Sequence, residues 1–385
     1  MIPYGRQDID EEDIRAVVEV LRSDWLTQGP AVERFEQKIA RYCGAKYAVA
    51  VSSATAALHL ACLAAGLKPD EHLWTSPNTF VASANCGLYC GANPGFVDID
   101  PRTYNLSVDA LEEKLARAEK QGGLPKIVIP VHFAGQSCEM ERIAALGKRY
   151  GFTVIEDASH AIGGRYRDTN VGSCAFSDMT VFSFHPVKII TTGEGGMVLT
   201  NRQDIYEKLL RLRSHGITRD PLFMDGEPDG PWYYQQIELG FNYRITDIQA
   251  GLGISQMRRL DEFVERRRQL ANRYGALLQG LPLTTPWQHP AANSAWHLYV
   301  IVLQEKAGAN IRRQVFDALH AKGIGVNVHY IPVHTQPYYH TMGFSPGDFP
   351  DAEHYYAHAI SLPLYPGLDE AEQDYIVAAL KQALR

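Results

Sequence analysis

The chain has 385 residues, of which 45% are hydrophobic and 21% are charged, a composition expected of a globular enzyme with a large and a smaller domain. Its 37 basic and 44 acidic side chains give a net charge of −7 without a long basic run, so nucleic-acid binding is not expected. Neither a signal-peptide pattern nor an apolar run of about 20 residues is present, and no membrane partner is expected. Six scattered cysteines favour a reducing cytoplasm over a disulfide framework.

Short apolar runs alternate with helical patterns between residues 46 and 200. A helix at about Glu11–Ser23 precedes them and is expected to pack near a second domain. Predicted strands lie at Tyr47–Val51, Leu73–Thr75, Gly95–Ile99, Ile127–Val131, Thr153–Glu156, Met179–Phe182 and Gly196–Thr200, with helices at Ala54–Ala65, Val81–Gly91, Val108–Glu119 and Glu139–Tyr150. Strand–helix alternation predicts an α/β fold with a mostly parallel sheet covered by helices on both faces.

The pattern changes after residue 200. A long helix is predicted from Ile245 to about Leu278, and its charged stretch Arg258–Arg268 is interpreted as a solvated face. The remaining elements predict a smaller α+β domain: a strand at Leu298–Leu303, a helix near Arg312–Ala321, an extended segment at Gly325–Tyr330 and a helix from Asp369. We expect a large domain at residues 1–255 and a small domain at residues 256–385, with no Pro/Gly linker between them.

A carboxylate and a lysine follow two successive predicted strands. Asp157 ends one strand, and Lys188 follows the next after a His185-Pro186 turn. Ligands of parallel sheets bind at the carboxyl ends of the strands. A lysine that forms a Schiff base and a carboxylate that holds the proton on a pyridine nitrogen suit pyridoxal 5'-phosphate (PLP). Each residue also has an alternative interpretation. Lys188 could be a surface lysine on a loop, and Asp157 could be a helix N-cap.

Further residues fit other parts of the same cofactor. A strand passes into a helix through three small residues, Ser53, Ala54 and Thr55. Helix N-termini bind phosphate, although ordinary N-capping is the alternative. Ser183 is another candidate phosphate donor. Phe80 is a candidate for stacking on the pyridine ring, with core burial as the alternative. His160 is a candidate for reaching the ring hydroxyl, with a structural histidine as the alternative.

Two cysteines, Cys86 and Cys90, lie one helical turn apart. Small buried side chains on an apolar helix are favoured over a metal-binding pair at this spacing. Neither a His-Glu-x-x-His nor a Cys-x-x-Cys pattern occurs in the sequence. We therefore expect no catalytic metal.

Together these segments resemble the DegT/DnrJ/EryC1/StrS family of sugar aminotransferases, which are PLP enzymes of fold type I, the aspartate aminotransferase fold. The resemblance covers nearly the whole chain through ordered matches at residues 26–30, 53–58, 156–161, 183–188, 193–196, 240–244, 329–334 and 362–367. Residues 6–9 and 74–86 carry a closer resemblance to C4-aminotransferases of pseudaminic acid biosynthesis. Ala54 departs from many relatives, which have glycine there, but alanine still offers its N–H.

The resemblance implies a two-step amino transfer. L-glutamate gives its amine to PLP, which leaves pyridoxamine 5'-phosphate and 2-oxoglutarate. The pyridoxamine form then aminates C4 of a UDP-linked 4-keto-6-deoxy-N-acetylhexosamine. Lys188 would move the proton between the amino-acid carbon and the cofactor.

Other activities stay open on the same fold. They are a PLP-dependent sugar dehydratase or lyase, amino transfer to another nucleotide 4-keto or 3-keto sugar, and a non-enzymatic sensor. Some relatives that act as dehydratases have histidine at the lysine position. Lys188 therefore favours amino transfer.

A homodimer with shared active sites is also implied by the resemblance. Asn242 matches a residue that reaches the PLP phosphate of the other subunit, and Arg244 lies beside it. The positions that match substrate-binding regions of the family, besides Arg244, are Tyr4, Arg6, Trp25, Gln28, His329 and Tyr330. Packing at the end of a small-domain strand is the alternative for His329 and Tyr330.

Overall fold

The computed structural model describes residues 1–304 and 310–384, in which helices and strands alternate through the first half of the chain. The helices are α1 Glu11–Leu21, α2 Pro30–Cys43, α3 Ala54–Ala64, α4 Ala82–Tyr89, α5 Val108–Gln121, α6 Met140–Tyr150, α7 Gln203–Leu212, α8 Asp247–Gln256, α9 Leu260–Leu277, α10 Ile311–Ala321, α11 Pro337–His340, α12 Pro350–His358 and α13 Glu370–Ala383. The strands are β1 Tyr47–Val51, β2 His72–Thr75, β3 Asn93–Phe96, β4 Ile127–Ile129, β5 Thr153–Asp157, β6 Arg165–Tyr166, β7 Thr169–Asn170, β8 Met179–Ser183, β9 Gly196–Thr200, β10 Ile217–Thr218, β11 Gln235–Gln236, β12 Leu283–Thr284, β13 Ala292–Asn293, β14 Tyr299–Leu303 and β15 Ala359–Leu362.

Seven strands form the central sheet, in the order β1-β9-β8-β5-β4-β2-β3. β9 is antiparallel to both of its neighbours, β1 and β8. The remaining neighbours pair in parallel. These strands are almost continuously buried, as expected for a sheet that helices cover on both faces. The predicted mostly parallel α/β sheet is confirmed, and each predicted strand lies in it with ends that differ by a few residues.

A second, antiparallel sheet, β12-β14-β15, lies in the last third of the chain and packs with α10 and α13. Helix α9 packs in two apolar clusters, one beside each of these sheets. Its first turns, including Phe263 and Val264, pack in the apolar cluster beside the central sheet, whereas Leu270 and Tyr274 pack beside the second sheet. The smaller α+β unit is therefore present, and the division at residues 255 and 256 stays a prediction.

Two details around α9 differ from the expectations. The predicted helix from Ile245 to Leu278 is two helices, because the chain leaves helical geometry between Gln256 and Leu260. The stretch Arg258–Arg268 is a solvated face only in part: its acidic residues are exposed, but Arg267 is only 1% exposed. Helix α1 packs on α8, and its Glu12 and Asp13 pair with Arg258 and Arg259. The extended residues before α1 pair with the second unit at Gly323–Gly325 and at Leu364.

Within the described residues, no helix combines the length and the apolar composition of a membrane span. Cys86 of α4 and Cys90, the C-cap of that helix, are buried in an apolar cluster, as their spacing predicts.

Candidate active site

A cavity of about 710 Å³ opens at the carboxyl ends of β5 and β8. Its volume falls in the range of about 300–1,000 Å³ that is usual for small-molecule sites. The predicted site residues on its wall are Tyr4, Ser53, Ala54, Thr55, Phe80, Asp157, His160, Ser183, Lys188, His329 and Tyr330. Folding thus brings together candidates from both ends of the chain.

Lys188 lies on a closed turn that follows β8. The backbone N–H of Lys188 donates to the carbonyl of His185 over 2.9 Å, and Thr191 and Thr192 donate to the carbonyl of Phe184. The side chain is half-buried on the cavity wall. Burial lowers the pKa of Lys188 to about 8, although the nearby charge of Asp157 acts in the opposite direction. The amine is therefore neutral, and nucleophilic, at a much lower pH than an ordinary lysine.

The lowered pKa predicts how the cofactor-free protein takes up PLP. A lysine with a pKa of about 8 is half neutral at pH 8, whereas one at 10.5 is only about 0.3% neutral there. The second-order rate constant for PLP attachment should therefore rise until about pH 8.5 and then level off. Stopped-flow absorbance across the pH range measures this, with Nα-acetyl-lysine as the control for the ionisation of PLP itself. A rate constant that keeps rising beyond pH 9, like that of the free amine, would contradict the lowered pKa.

Asp157 is held as a hydrogen-bond acceptor at the base of the cavity. It is buried, and its Oδ2 accepts from Ser83 Oγ over 2.7 Å. Its Oδ1 accepts from both the N–H and the Oγ of Ser159, at 3.1 and 2.6 Å. No helix begins at Asp157, so the helix-cap alternative is wrong, and the bond to Ser159 instead forms a local turn. The sequence analysis missed both serines, although a serine two residues after an aspartate is a common turn signal.

The neighbouring carboxylate, Glu156, faces the other side of β5. It pairs with His132 Nε2 at 2.6 Å and accepts from Thr180 Oγ1 at 3.1 Å and from Ser177. Burial opposes the charged form of Glu156, but these hydrogen bonds outweigh it and the pKa is lowered. Because side chains alternate along a strand, only Asp157 of the two reaches the cavity.

The N-terminus of α3 forms another part of the cavity wall. Ser53 Oγ accepts from the N–H of Ala56 over 3.1 Å, and the Ser53 carbonyl accepts from Ala57 over 3.0 Å. Ser53 is therefore an N-cap, as the alternative proposed. The N–H groups of Ala54 and Thr55, which come first in the helix, have no intrahelical acceptor and lie on the cavity wall. This donor set suits a phosphate.

Gly196 lets β9 approach this helix end closely. It pairs with Val51 on one side and with Ser183 on the other. A Cβ at Gly196 would lie 2.5 Å from the Ser53 carbonyl and 2.6 Å from Ala54 N. The absent side chain therefore allows the α3 N-terminus and the end of β8 to share one cavity.

Three buried histidines, His160, His297 and His329, lie on the cavity wall with Lys188. Burial and the charge of Lys188 lower the pKa of each, that of His329 to about 3. His160 Nδ1 accepts from the N–H of Ala134, and its Nε2 lies 3.1 Å from Tyr330 Oη. All three rings are therefore neutral near pH 7. The predicted contact of His160 with the ring hydroxyl stays a prediction, and sequence reasoning missed His297.

Phe80 is 58% exposed and lies on the cavity wall, so its core-burial alternative is wrong. Its ring lies 6.3 Å from that of Tyr330. A role in stacking on the cofactor ring stays a prediction.

Five candidates do not lie on the wall of this cavity in a single chain: Arg6, Trp25, Gln28, Asn242 and Arg244. The backbone of Arg244 bridges to Val51, next to the α3 N-terminus. Trp25 and Gln28 are exposed, and Thr27 between them bridges to Thr246. These residues therefore lie outside the cavity as one chain forms it.

The polar groups on the cavity wall fit PLP. An amine, a hydrogen-bonded carboxylate and a helix N-terminus face one cavity and match the aldehyde, the ring nitrogen and the phosphate of this cofactor.

The model of the DegT/DnrJ/EryC1/StrS aminotransferase family matches residues 7–381. The chain is 40% identical to the spore coat polysaccharide biosynthesis protein SpsC of Bacillus subtilis, over 100% of this chain and 97% of the relative. Among solved structures, the PMP form of the putative sugar aminotransferase Spr1654 from Streptococcus pneumoniae matches with a TM-score of 0.90 and 30% identity, over 100% of this chain and 99% of that chain. Helicobacter pylori PseC, an aminotransferase involved in the biosynthesis of pseudoaminic acid, matches with a TM-score of 0.89 and 31% identity, over the same shares.

Proposed function

The chain belongs to the DegT/DnrJ/EryC1/StrS aminotransferase family, whose members are PLP-dependent, and we propose that it transfers an amino group from L-glutamate to C4 of a UDP-linked 4-keto-6-deoxy-N-acetylhexosamine. The observation that carries the proposal is the half-buried Lys188, whose pKa is lowered to about 8, facing Asp157 across one cavity. An amine that is readily neutral can both attach the cofactor and move a proton.

Each wall of the cavity has a role in this proposal. PLP, when bound, supplies an electron sink for the charge that develops on the amino-acid carbon. Lys188 Nζ takes the proton from that carbon and returns it to the cofactor side. Asp157 keeps the ring nitrogen protonated because its charge favours the N–H form. The N–H groups of Ala54 and Thr55, with the hydroxyl of Ser183, bind the phosphate.

Two relatives support a nucleotide-sugar acceptor. PseC acts in pseudoaminic acid biosynthesis, and a UDP-linked 4-keto sugar is the acceptor that the resemblance at residues 74–86 implies. A second candidate is the same transfer to another nucleotide 4-keto sugar that feeds a surface polysaccharide. The 40% identity to SpsC favours that candidate. Both candidates place the enzyme in the cytoplasm, where sugar nucleotides and L-glutamate are available, and this location stays a prediction.

We further propose that the enzyme is a homodimer whose subunits share active sites. Strongly exposed apolar side chains, including Trp25, Leu222, Trp232 and Leu239, concentrate at residues 21–28 and 222–239. Exposed apolar side chains that cluster in this way mark contact surfaces in many proteins. Lys188 is the only lysine or arginine among the described wall residues, whereas glutamate and a UDP-sugar are anionic. A second copy that brings Asn242 and Arg244 to the cavity would supply the missing donors. A solution mass of one chain, measured by light scattering, would contradict this assembly.

Visible absorption tests donor and acceptor together. We expect PLP-loaded protein to lose the absorption band of its lysine-linked cofactor when excess L-glutamate is added, with one 2-oxoglutarate formed per site. Adding the UDP-linked 4-keto-6-deoxy-N-acetylhexosamine should restore the band, because the amine leaves with the sugar.

Other outcomes separate the alternatives. A band that glutamate leaves unchanged would contradict the donor and favour the lyase. The absorption band could instead be lost with glutamate and fail to return after the UDP sugar is added. Its return after another nucleotide keto sugar would then favour the second candidate. Protein that shows no band after PLP is added would contradict the enzyme and favour a sensor.

A further inference from the structure

Arg267 is a buried cation on α9 without a carboxylate partner. Its side chain is 1% exposed, and no ion pair of Arg267 occurs within residues 1–304 and 310–384. Burial lowers its pKa to about 10. Placing a charge in the interior costs free energy unless hydrogen bonds compensate. The contacts of this guanidinium therefore indicate what the residue does.

Those contacts are backbone carbonyls, two of which belong to a strained segment. Arg267 Nη1 donates to the carbonyl oxygens of Leu364 at 2.8 Å, Trp296 at 3.3 Å and His297 at 3.3 Å. Trp296 has a φ of +51°, in the left-handed region that is unfavourable for a bulky residue. Arg267 thus stabilises a conformation of residues 296–297 that the local sequence disfavours.

The same segment fixes a turn beside the cavity. The N–H groups of His297 and Leu298 donate to the carbonyl of Ala134, at 2.9 and 3.3 Å. Gly135 follows with a φ of +103°, and a Cβ there would lie 2.8 Å from Trp296 N and 3.0 Å from the His160 carbonyl. Turn and segment are packed so closely that neither moves without the other.

The turn at Ala134 determines the tautomer of His160. The Ala134 N–H donates to His160 Nδ1 over 3.3 Å, and a backbone N–H can only donate. Nδ1 must therefore be unprotonated, so a neutral His160 carries its proton on Nε2. Nε2 lies 3.1 Å from Oη of Tyr330, another residue of the cavity wall.

We propose that Arg267 is a positioning residue for amino transfer, which acts through the backbone of Trp296 and His297 and the turn at Ala134 to fix His160 as a donor from Nε2 to the hydroxyl of Tyr330 on the cavity wall. The inference rests on the proposed function of this cavity. Arg267 itself touches neither the cavity nor a reacting atom.

The tautomer is measurable in the cofactor-free protein by NMR with ¹⁵N-labelled histidine, after His160→Gln identifies the His160 signals. The wild type should carry the proton on Nε2. Arg267→Met removes the guanidinium at similar volume and should give a mixture of both tautomers. In the loaded enzyme, kcat should fall roughly 10- to 100-fold while KM for glutamate changes less.

Arg266→Met is the matched control. Arg266 is the preceding residue of α9 and also donates to backbone carbonyls, those of Pro366 and Leu368, outside the path to His160. Its loss should lower the unfolding temperature but leave the His160 tautomer unchanged. A purely structural Arg267 would behave in the same way.

Two results would overturn the inference. One is wild-type protein with the His160 proton on Nδ1. The other is Arg267→Met with the wild-type tautomer and kcat, whatever its unfolding temperature. If Arg267→Met does not fold, Arg267→Lys replaces it, since a lysine lacks the planar fork. A mixture of His160 tautomers in Arg267→Lys supports the inference, and the wild-type tautomer in that variant overturns it. Because the NMR readout needs neither cofactor nor sugar, an error in the proposed acceptor leaves it unaffected.

Discussion

Replacing Lys188 by alanine is expected to abolish turnover, with kcat lowered by at least about 10⁴-fold, because in the proposed function one amine both attaches the cofactor and transfers the proton. Within the described cavity wall no second lysine is available to replace it. The measurement is steady-state formation of 2-oxoglutarate from L-glutamate with the keto sugar as acceptor. PLP should still bind to the variant without a covalent link, since the α3 N-terminus and Asp157 are unchanged.

Lys148→Ala, on the exposed face of α6, is the control for this variant and should keep wild-type kcat. Small primary amines added to Lys188→Ala should restore part of the activity, because they supply the missing proton acceptor. Turnover above a trace in the variant without added amine would remove Lys188 from its proposed role.

Asp157→Asn is expected to lower kcat by about 10²- to 10³-fold, the size of effect seen when one preorganised electrostatic partner is lost. The amide keeps the shape of the carboxylate and can still accept from Ser83 or Ser159, so the fold should persist. Its NH₂ group, however, can donate to an unprotonated ring nitrogen. The cofactor would then bind in a form that stabilises negative charge poorly.

The measurement pairs kcat at saturating PLP with the unfolding temperature. Asp157→Ala should lose at least as much activity, and the exposed Asp109→Asn should lose none. Wild-type turnover in Asp157→Asn at saturating PLP would show that the ring nitrogen has another partner.

Local patterns carried much of the fold. Alternation of apolar runs and helical segments predicted the central sheet, because strands and helices differ in the spacing of their apolar residues. Helix α2 was missed although its signals are present, with Pro30 in its first turn and Gly44 at its C-cap with a φ of +81°. β15 was missed because a four-residue apolar strand becomes recognisable only when paired, here with β14.

The apolar residues of α9 recur at a helical period that continues through its charged stretch. The buried positions of this helix are Leu260, Phe263, Val264, Arg267, Leu270, Ala271 and Tyr274, at helical spacing. Arg267 occupies a position of the apolar stripe, which a solvated face would not explain. Counting the stripe through the arginine would have predicted its burial.

The sequence by itself determined the chemistry available to this protein: a lysine and an aspartate at successive strand ends, a helix start made of small residues, and the family to which their order belongs. These are local features, because each depends on residues a few positions apart. Only the tertiary structure decided that Ser83 holds Asp157, that Gly196 admits the α3 N-terminus, and that Arg267 reaches His160 through Ala134. Such contacts join residues far apart in the chain, and their geometry depends on how sheets and helices pack, which no local pattern encodes.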